Sequence, residues 1–447
     1  MTPATETKVT TEADEMREDP TMAKRVQIEI LVILMAMPVS AVVRRVPSEY
    51  PDIIAAISAC GEGDVVLVAP GVYAGPNSRR FAINTSITVR SEQGPLTCVL
   101  DGQGDAAGVA FRDQGDSIEA ILDGFTITNG GGGGAIMCRH EGHAVIRNCI
   151  ITGNEGFDEG VGIKIGRKIH TGPQSAGEIR ATVSNCIITN NHSSDSENSY
   201  GGGVLCAEGN VLFRNCVISG NSAAYGGGVA CSSAIARFEN CIITDNRAFT
   251  GKGEQAYLGY AGTMCTMIEC PARGDLVFAS CCIRNDANSI FYDKFLAADP
   301  PWGPSYDFDA FGNIQADPRF ARNGYWHWDG FWIDGDYHLK SRAGRWDPVA
   351  ESWVRDDVTS PCIDAGDPTG PIGHEPFPTG GIINMGAYGG TPEASKAYFP
   401  GAKPCETIYA GDVNGDGKVD FKDLQIMALQ WHPMSDSDGS QDEPVGR

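Results

Sequence analysis

A hydrophobic and polar pattern of seven residues recurs in the middle of the chain. Each copy has the form Asn-Cys-hydrophobic-Ile-Thr/Ser-x-Asn, and the four copies span residues 148–154, 185–191, 215–221 and 240–246. Successive side chains of a β-strand point to opposite faces. The Cys and the second hydrophobic residue of each copy, such as Cys149 and Ile151, therefore share one face, which we predict to be buried.

A second pattern, Gly-Gly-Gly-Val-x-Cys, alternates with the first at residues 201–206 and 226–231. The shortest step between equivalent positions is 25 residues, from Cys216 to Cys241. A repeat of this length has no amphipathic helix, lacks a leucine-rich frame and is too short for a propeller blade of about 40–45 residues. It is typical of one coil of a right-handed parallel β-helix. Asn and Gly suit the corners of such a coil, and stacked Asn side chains are expected to hydrogen-bond from coil to coil.

The segment before the repeats predicts how the first coil is covered. Hydrophobic residues stand at helical spacing in 52–59, at Ile53, Ile54 and Ile57, and a buried strand with a Pro-Gly turn follows in 63–73. We expect a short helix to cover the open N-terminal end of the core, because the end coil of a solenoid otherwise exposes its interior.

These motifs resemble a known family. Tyr50-x-x-Ile-x-x-Ala-Ile, the Gly-Asp-x-Val-x-Val-x-Pro-Gly-x-Tyr segment from Gly63, Leu122-Asp-Gly-Phe-Thr-Ile and the Asn-Cys-x-Ile repeats are similar to secreted bacterial proteins of the pectin-lyase-like β-helix superfamily. The resemblance covers residues 46–290 and, more loosely, 360–395. It implies a mainly β fold, a right-handed single-stranded parallel β-helix, and a long groove on which lyases, hydrolases and esterases of that family act. The fold alone does not choose among these activities.

The N-terminal segment and the net charge indicate the cellular location of the protein and the class of its partners. Lys24 and Arg25 precede an apolar run in 30–39 that is too short to span a bilayer, and the small-residue site Val39-Ser-Ala41 follows. This order predicts a secretory signal peptide, with Met1 or Met22 as its start, and a secreted or cell-surface protein without a membrane span. The net charge of −23 argues against a nucleic-acid partner bound through a basic face.

The 15 cysteines do not indicate a disulfide framework. Neighbouring coils lie about 4.8 Å apart, whereas the Cβ atoms of a disulfide lie about 3.8 Å apart. We therefore expect two interior ladders of free thiols, and Cys362 and Cys405 remain as disulfide candidates outside them. The first expected ladder comprises Cys149, Cys186, Cys216 and Cys241, and the second comprises Cys138, Cys206, Cys231 and Cys265.

A calcium-loop pattern stands near the C-terminus. The loop spans residues 412–423, and the spacing of its oxygen-bearing side chains suits ligands around one cation. Gly417, at loop position 6, permits the sharp turn. Loop position 12, where a Glu is usual, is Asp423. A helix with one hydrophobic face is expected after it, and the combination resembles a dockerin repeat. That resemblance implies Ca²⁺ and a cohesin-like protein or a cell-surface anchor as partner, although dockerins usually carry two repeats. The predicted metal ligands are Asp412, Asn414, Asp416, Lys418, Asp420 and Asp423.

Two further segments carry candidate chemistry. The insertion in 155–180 holds carboxylates and bases of the kinds that a lyase needs to acidify and remove a proton; the alternative is a solvated loop. Six of the seven Trp lie in 302–353, where they either stack on sugar rings or form a hydrophobic plug over the last coils. The candidate catalytic residues are Asp158, Glu159, Lys164, Arg167, Lys168 and His170, and the candidate substrate-binding residues are Trp326, Trp328, Asp329 and Trp332.

The sequence thus predicts a mainly β solenoid with a small C-terminal α/calcium-loop module. Its expected function is to bind or degrade polysaccharide, and any enzyme activity is that of a polysaccharide lyase or a glycoside hydrolase. The alternative is a non-catalytic surface adhesin or structural scaffold. The predicted parts are a leader with signal peptide (1–41), a parallel β-helix (42–297), an aromatic-rich insertion with final coils (298–395), a linker (396–409), a dockerin-like loop and helix (410–433) and an acidic tail (434–447).

Overall fold

The computed structural model describes eleven stretches of the chain. They are residues 41–104, 108–112, 119–139, 142–157, 160–166, 179–194, 197–258, 275–284, 289–292, 311–399 and 420–430.

Parallel strands stack into four sheets along one axis. Each full coil contributes one strand to sheet I, then one to sheet II, then one to sheet III. Sheet I contains β1 (Val43–Val46), β2 (Val65–Val68), β5 (Thr88–Ser91), β8 (Glu119–Asp123), β11 (Gly142–Arg147), β15 (Ile179–Ser184), β19 (Asn210–Arg214), β23 (Ile235–Glu239) and β27 (Asp275–Ala279). Sheet II contains β3 (Gly71–Tyr73), β6 (Cys98–Asp101), β9 (Thr126–Thr128), β12 (Ile150–Thr152), β16 (Ile187–Thr189), β20 (Val217–Ser219), β24 (Ile242–Thr244) and β28 (Cys282–Ile283).

The other two sheets complete the coil. Sheet III contains β4 (Arg80–Ile83), β7 (Gly108–Phe111), β10 (Ile136–Cys138), β14 (Ile163–Ile165), β18 (Val204–Cys206), β22 (Val229–Cys231), β26 (Ala256–Leu258) and β29 (Ile290–Tyr292). Sheet IV lies between sheets II and III and contains β13 (Glu155–Gly156), β17 (His192–Ser193), β21 (Ser222–Tyr225) and β25 (Arg247–Lys252). This arrangement confirms the predicted parallel β-helix.

The core follows the predicted alternation. Cys149 and Ile151 are 1% and 0% exposed and belong to one continuous hydrophobic cluster inside the coils. The first Asn of each repeat forms the corner between sheets I and II in a left-handed conformation, with φ of 53° at Asn148 and 54° at Asn240. Asn tolerates this backbone region, which explains why it recurs at this corner.

The second Asn of each repeat forms the expected ladder along the axis. Asn154 Nδ2 donates to Asn191 Oδ1 at 2.8 Å, and Asn191 Nδ2 donates to Asn221 Oδ1 at 2.9 Å. The ladder continues from Asn221 Nδ2 to Asn246 Oδ1 at 3.0 Å and ends at Gln255. All four Asn side chains are buried, so each amide satisfies polar groups of its neighbours that water cannot reach.

The cysteine ladders differ in part from the prediction. The first is longer than expected, because strand register continues it from Cys241 to Cys281. The second is interrupted, because Ile165 stands between Cys138 and Cys206 in the register of sheet III. Cys265 lies outside the described residues. Of the two disulfide candidates, Cys362 has a free, buried thiol, and Cys405 lies outside the described residues.

Two short helices lie near the N-terminal coils. The first, α1 (Ile53–Ser58), begins after Asp52, whose carboxylate accepts a hydrogen bond from the Ala55 backbone N–H at 2.8 Å. Its residues Ile53 and Ala56 are buried in the main core, as expected of a helix that covers the first coil. The second, α2 (Pro76–Arg79), has proline at its N-terminus.

Residues 311–399, called here the covering segment, pack against the outer face of sheet II. Ile187, Val217 and Ile242 face outward from sheet II and lie in one hydrophobic cluster with residues of the covering segment. Corner asparagines support this contact: Asn185 Nδ2 donates to the Ala387 carbonyl at 2.9 Å. The partners from the covering segment are Phe320, Tyr337, Leu339, Cys362, Ile363, Met385, Ala387 and Ala397.

The covering segment corrects the expectation of final coils in 298–395. Within 311–395, the described part of that range, only Ile314 adds a parallel bridge to the β-helix, at Cys282. The strands that follow are antiparallel pairs, so they do not continue the solenoid. The pairs are β30 (Phe320–Arg322) with β33 (Asp336–Leu339), β31 (Tyr325–Trp326) with β32 (Trp332–Ile333), and β34 (Arg345–Asp347) with β35 (Ser352–Val354).

The remaining described element is the helix α3 (Phe421–Gln430). At its start, the Asp420 backbone N–H donates to the Asp423 carboxylate at 2.7 Å. None of the helices within the described stretches has the length and apolar character needed to cross a bilayer.

Candidate functional site

Of the six residues predicted to be catalytic in the insertion, the structure describes Lys164. Lys164 lies in β14, at an outward register position of sheet III between Met137 and Leu205, and is only 1% exposed. This burial does not fit a freely solvated loop at Lys164. The other predicted members, Asp158, Glu159, Arg167, Lys168 and His170, lie outside the described residues. The catalytic role of the set stays a prediction.

The predicted aromatic segment forms a hairpin anchored on the corner between sheets II and IV. Trp332 is 4% exposed, and its ring packs so closely over Gly220 that a Cβ there would overlap it. Trp326 Nε1 donates to the Asp245 carbonyl at 2.8 Å, and its ring meets Trp332 edge to face at 5.3 Å between centroids. Trp332 is therefore a packing residue, whereas Trp326 is partly exposed and is held at this corner by the hydrogen bond from its indole N–H.

A half-buried carboxylate fixes the base of this hairpin. The Asp334 carboxylate accepts hydrogen bonds from Thr152 Oγ1 at 2.7 Å, Trp332 Nε1 at 3.0 Å and Tyr337 Oη at 3.2 Å. Thr152 belongs to sheet II, so this network joins the hairpin to the β-helix. Burial and the nearby Asp334 charge raise the pKa of Tyr337 well above its ordinary value, which keeps the phenol protonated as a donor.

The tip of the hairpin is exposed. Trp328 is 86% exposed and Phe331 is 52% exposed. His327 stacks on Phe331 with centroids 4.4 Å apart, and its backbone N–H donates to the Phe331 carbonyl at 2.8 Å. Asp329 is exposed beside Trp328. Of the four predicted substrate-binding residues, Trp328 and Asp329 are exposed.

A row of four polar side chains lies on the outward face of sheet IV. Strand register aligns Glu155 with His192, His192 with Ser222, and Ser222 with Arg247. The residues that alternate with them are buried, as at Ser193, Ala223 and Ala248. A carboxylate, an imidazole, a hydroxyl and a guanidinium thus occupy successive coils, which we call the sheet IV row.

Contacts fix the imidazole of this row. His192 Nδ1 lies 2.6 Å from Ser222 Oγ, and the Phe249 ring meets the imidazole edge to face at 5.7 Å. Burial lowers the pKa of His192 below its ordinary value, although the nearby Glu155 charge opposes this shift. His192 is therefore neutral at neutral pH.

The aromatic hairpin borders the row at its other end. Arg247 Cζ lies 5.9 Å from the centroid of the Trp326 ring, within the range of a cation–π contact. Sequence reasoning missed all four members of the row. A signal exists, because each of them directly follows the last Asn of a repeat, and this places them at one position of the coil.

A separate cavity of about 300 Å³ lies between the turn at 93–96 and the covering segment. His338 is buried in its wall, with Nδ1 2.6 Å from Asp336 and Nε2 3.4 Å from Glu393. Burial favours the neutral imidazole, but the two carboxylates outweigh it and raise the pKa of His338. Both ring nitrogens are engaged, so we assign His338 to the packing of the covering segment.

The predicted calcium loop is described only at its end. Asp420 and Asp423 hydrogen-bond backbone N–H groups at the start of α3. Asp412, Asn414, Asp416 and Lys418 lie outside the described residues. Within the part of the chain that the structure describes, no group of three or more His, Cys, Asp or Glu residues is placed to hold a metal ion. The calcium site stays a prediction.

Comparisons with known proteins bear on the fold. A family described as right handed beta helix region matches residues 98–294, and one described as disaggregatase related matches residues 299–366. The solved structure of the pectate lyase Pel9A is similar at 13% identity and a TM-score of 0.26, over 74% of this chain and 89% of that chain. The comparison with curated proteins gives no match. The observed coils and the first family match together identify a right-handed parallel β-helix in this chain.

Proposed function

We propose that the protein is a secreted or cell-surface β-helix protein that binds or degrades polysaccharide and attaches through a calcium-binding, dockerin-like module. The polysaccharide proposal rests on Trp328. Its indole is exposed at the tip of a hairpin that packs against the β-helix through the buried ring of Trp332. A flat indole face suits stacking against the apolar face of a sugar ring. Because Trp326, Trp332 and Asp334 already fix the hairpin, a ligand does not have to order it.

The neighbouring surface supports the same proposal. Asp329 offers a carboxylate to sugar hydroxyls beside Trp328, and the sheet IV row adds polar groups along the solenoid axis. A row at one position of successive coils repeats about every 4.8 Å and suits an extended polymer better than a compact ligand. The outer face of sheet II is covered, so we place the polysaccharide on the sheet IV side of the hairpin.

Replacing Trp328 by alanine is expected to weaken polysaccharide binding about tenfold, a loss of about 1.4 kcal/mol. The physical reason is the loss of the only indole in this hairpin that is exposed. Binding is measured by affinity electrophoresis or calorimetry against pectate, alginate and sulfated glycans.

The matched control is Val349→Ala, because Val349 is 94% exposed at the turn between β34 and β35. This variant is expected to bind as the unmodified protein does. Equal binding by the Trp328→Ala and Val349→Ala proteins would remove Trp328 from the site. If the unmodified protein binds no glycan of the panel, the polysaccharide proposal fails.

The attachment proposal rests on the sequence spacing from Asp412 to Asp423. Removal of Ca²⁺ is expected to unfold residues 410–433 while the β-helix stays folded, because a metal-assembled loop loses its binding free energy on chelation. Calcium calorimetry on the intact chain with Asp412→Ala and Asp416→Ala checks this. Unchanged calcium binding by the double variant would refute the loop assignment.

A further inference from the structure

We propose that Cys282 and Cys362 form a disulfide bond on exposure to a small-molecule disulfide such as oxidised glutathione, and that this bond fastens the covering segment to the β-helix. Cys282 lies in β28, the end strand of sheet II, and Cys362 lies in the covering segment, 80 positions later in the chain. Both belong to one buried cluster, where their thiols are neighbours. The bond concerns the attachment of the covering segment and goes beyond the proposed binding of polysaccharide.

The direction of the two side chains distinguishes this pair from the cysteine ladder inside the coils. Ladder neighbours such as Cys216 and Cys241 come from adjacent coils and point the same way, so their Cβ atoms stay about 4.8 Å apart, whereas a disulfide needs about 3.8 Å. Cys282 instead aligns with Ile242, which faces outward from sheet II. Cys362 meets it from the covering segment, on the opposite side of the contact. The spacing of strands therefore does not keep these two sulfur atoms apart.

Hydrogen bonds hold the backbone at both cysteines. The Cys282 N–H donates to the Cys241 carbonyl at 2.8 Å. The Cys362 N–H donates to Ser360 Oγ at 3.1 Å, and the Cys362 carbonyl accepts from the Met385 N–H at 2.9 Å. Because the folded chain already holds the thiols together, the second step of oxidation is intramolecular and costs little entropy.

The chemistry is thiol–disulfide exchange in two steps. Contact with the Cys362 thiol lowers the pKa of Cys282, against the opposing effect of burial, and the thiolate is the attacking form. The Cys282 thiolate attacks one sulfur of the small disulfide and releases the other half. The Cys362 sulfur then displaces the remaining half from Cys282. Two cysteine thiols are oxidised, the small disulfide is reduced to two thiols, and the protons of the cysteines end on those thiols.

Burial decides when the bond can form. Cys282 is 1% exposed and Cys362 is 0% exposed, so a dissolved disulfide does not reach them while the covering segment is packed. Oxidation is expected before this segment has packed or while it opens locally. The same burial is expected to protect the finished bond from dissolved reductants.

Peptide mapping of the full-length protein tests the pairing. The protein is incubated with oxidised glutathione at a urea concentration just below its unfolding midpoint, where the covering segment opens and closes. Free thiols are then alkylated in denaturant, and the chain is digested without reductant. We expect a linked pair of peptides holding Cys282 and Cys362, and alkylation of each lowered about tenfold or more relative to a sample kept in reduced glutathione. Cys216 and Cys241 are the matched control, because they are equally buried and are expected to stay alkylated.

Thermal unfolding tests the effect of the bond on the fold. A bond that closes a loop of 80 residues restrains the unfolded chain, so oxidation is expected to raise the unfolding midpoint by about 5 °C or more. Cys362→Ala is expected to abolish this shift. Cys281→Ala removes the adjacent thiol, which faces the core, and is expected to keep the shift. If Cys362→Ala does not fold, the peptide map of the unmodified protein decides alone.

Three results would overturn the inference. The first is alkylation of Cys282 and Cys362 as complete as that of Cys216 after oxidation. The second is a linkage of Cys362 to Cys405 in place of Cys282. The third is an unfolding midpoint that oxidation raises equally in Cys362→Ala and Cys281→Ala. Polysaccharide binding is read separately, so failure of the disulfide leaves the proposed function standing.

Discussion

Replacing Asn221 by alanine is expected to lower the free energy of unfolding by about 3 kcal/mol or more. The Asn221 side chain is fully buried, and its Nδ2 donates to Asn246 Oδ1 and to the Ile188 carbonyl. Its Oδ1 accepts from both the backbone N–H and the side-chain amide of Asn191. Alanine leaves these groups without partners in a place that water does not reach, and each unsatisfied group costs about 1–3 kcal/mol.

Urea unfolding followed by circular dichroism measures this loss. The matched control is Asn210→Ala, because Asn210 is exposed at the start of β19 in the same coil. Its replacement is expected to change the unfolding free energy by less than about 0.5 kcal/mol. Similar unfolding midpoints for the two variants would contradict a stabilising role of the ladder.

Replacing Trp332 by alanine is expected to cost about 3–5 kcal/mol, the usual range for a buried aromatic side chain. The indole fills the space over Gly220, stacks edge to face with Trp326 and donates to Asp334. Its removal leaves a cavity under the hairpin and loosens the attachment of the covering segment. Faster proteolysis within residues 320–339 is expected to accompany the lower unfolding midpoint.

The control is Trp328→Ala, which removes the same side chain four positions earlier in the chain. Trp328 is 86% exposed, so its loss is expected to leave the unfolding free energy within about 0.5 kcal/mol. If the two tryptophan variants had equal stability, Trp332 would not be the anchor of the hairpin.

The sequence predicted the β-helix because the alternation of side chains within each strand and the spacing of the repeat both indicate the same fold. The alternation of Cys149 and Ile151 with their polar neighbours follows from strand geometry alone. The Asn154–Asn246 ladder follows from the same residue recurring at the same position of each coil. Where the repeated residue changes, the prediction weakens, as at Ile165 in the second cysteine ladder.

The covering segment was not predicted, although the sequence holds a signal for it. Ile150, Ile187, Val217 and Ile242 occupy the outward positions of sheet II, and such a hydrophobic row requires a partner. That partner begins 69 residues after Ile242 and 161 residues after Ile150, and it has no repeat of its own. Pattern reasoning, which compares positions within a window, therefore cannot identify it.

The sequence predicted that tryptophans contribute to the candidate site, but not which of them pack against the β-helix and which are exposed. Three tryptophans of the segment look equivalent in the sequence, and only the contacts with Gly220 and Asp245 show which of them are packed. The sheet IV row was missed because its members differ in chemistry and share only their place in the coil. Their alignment depends on the register of the sheet IV strands. The sequence indicates that register only because each member directly follows the last Asn of a repeat.

The covering segment also changes how the solenoid is expected to fold and unfold. In a bare solenoid each coil contacts only its neighbours, so coils can fray one at a time from an end. Here residues 311–399 bind the outward side of successive coils from Asn185 to Asn240, and a single coil cannot leave without breaking that shared contact. We therefore expect these coils and their cover to unfold as one cooperative unit. During synthesis, that unit is complete only after the chain has been made beyond residue 390.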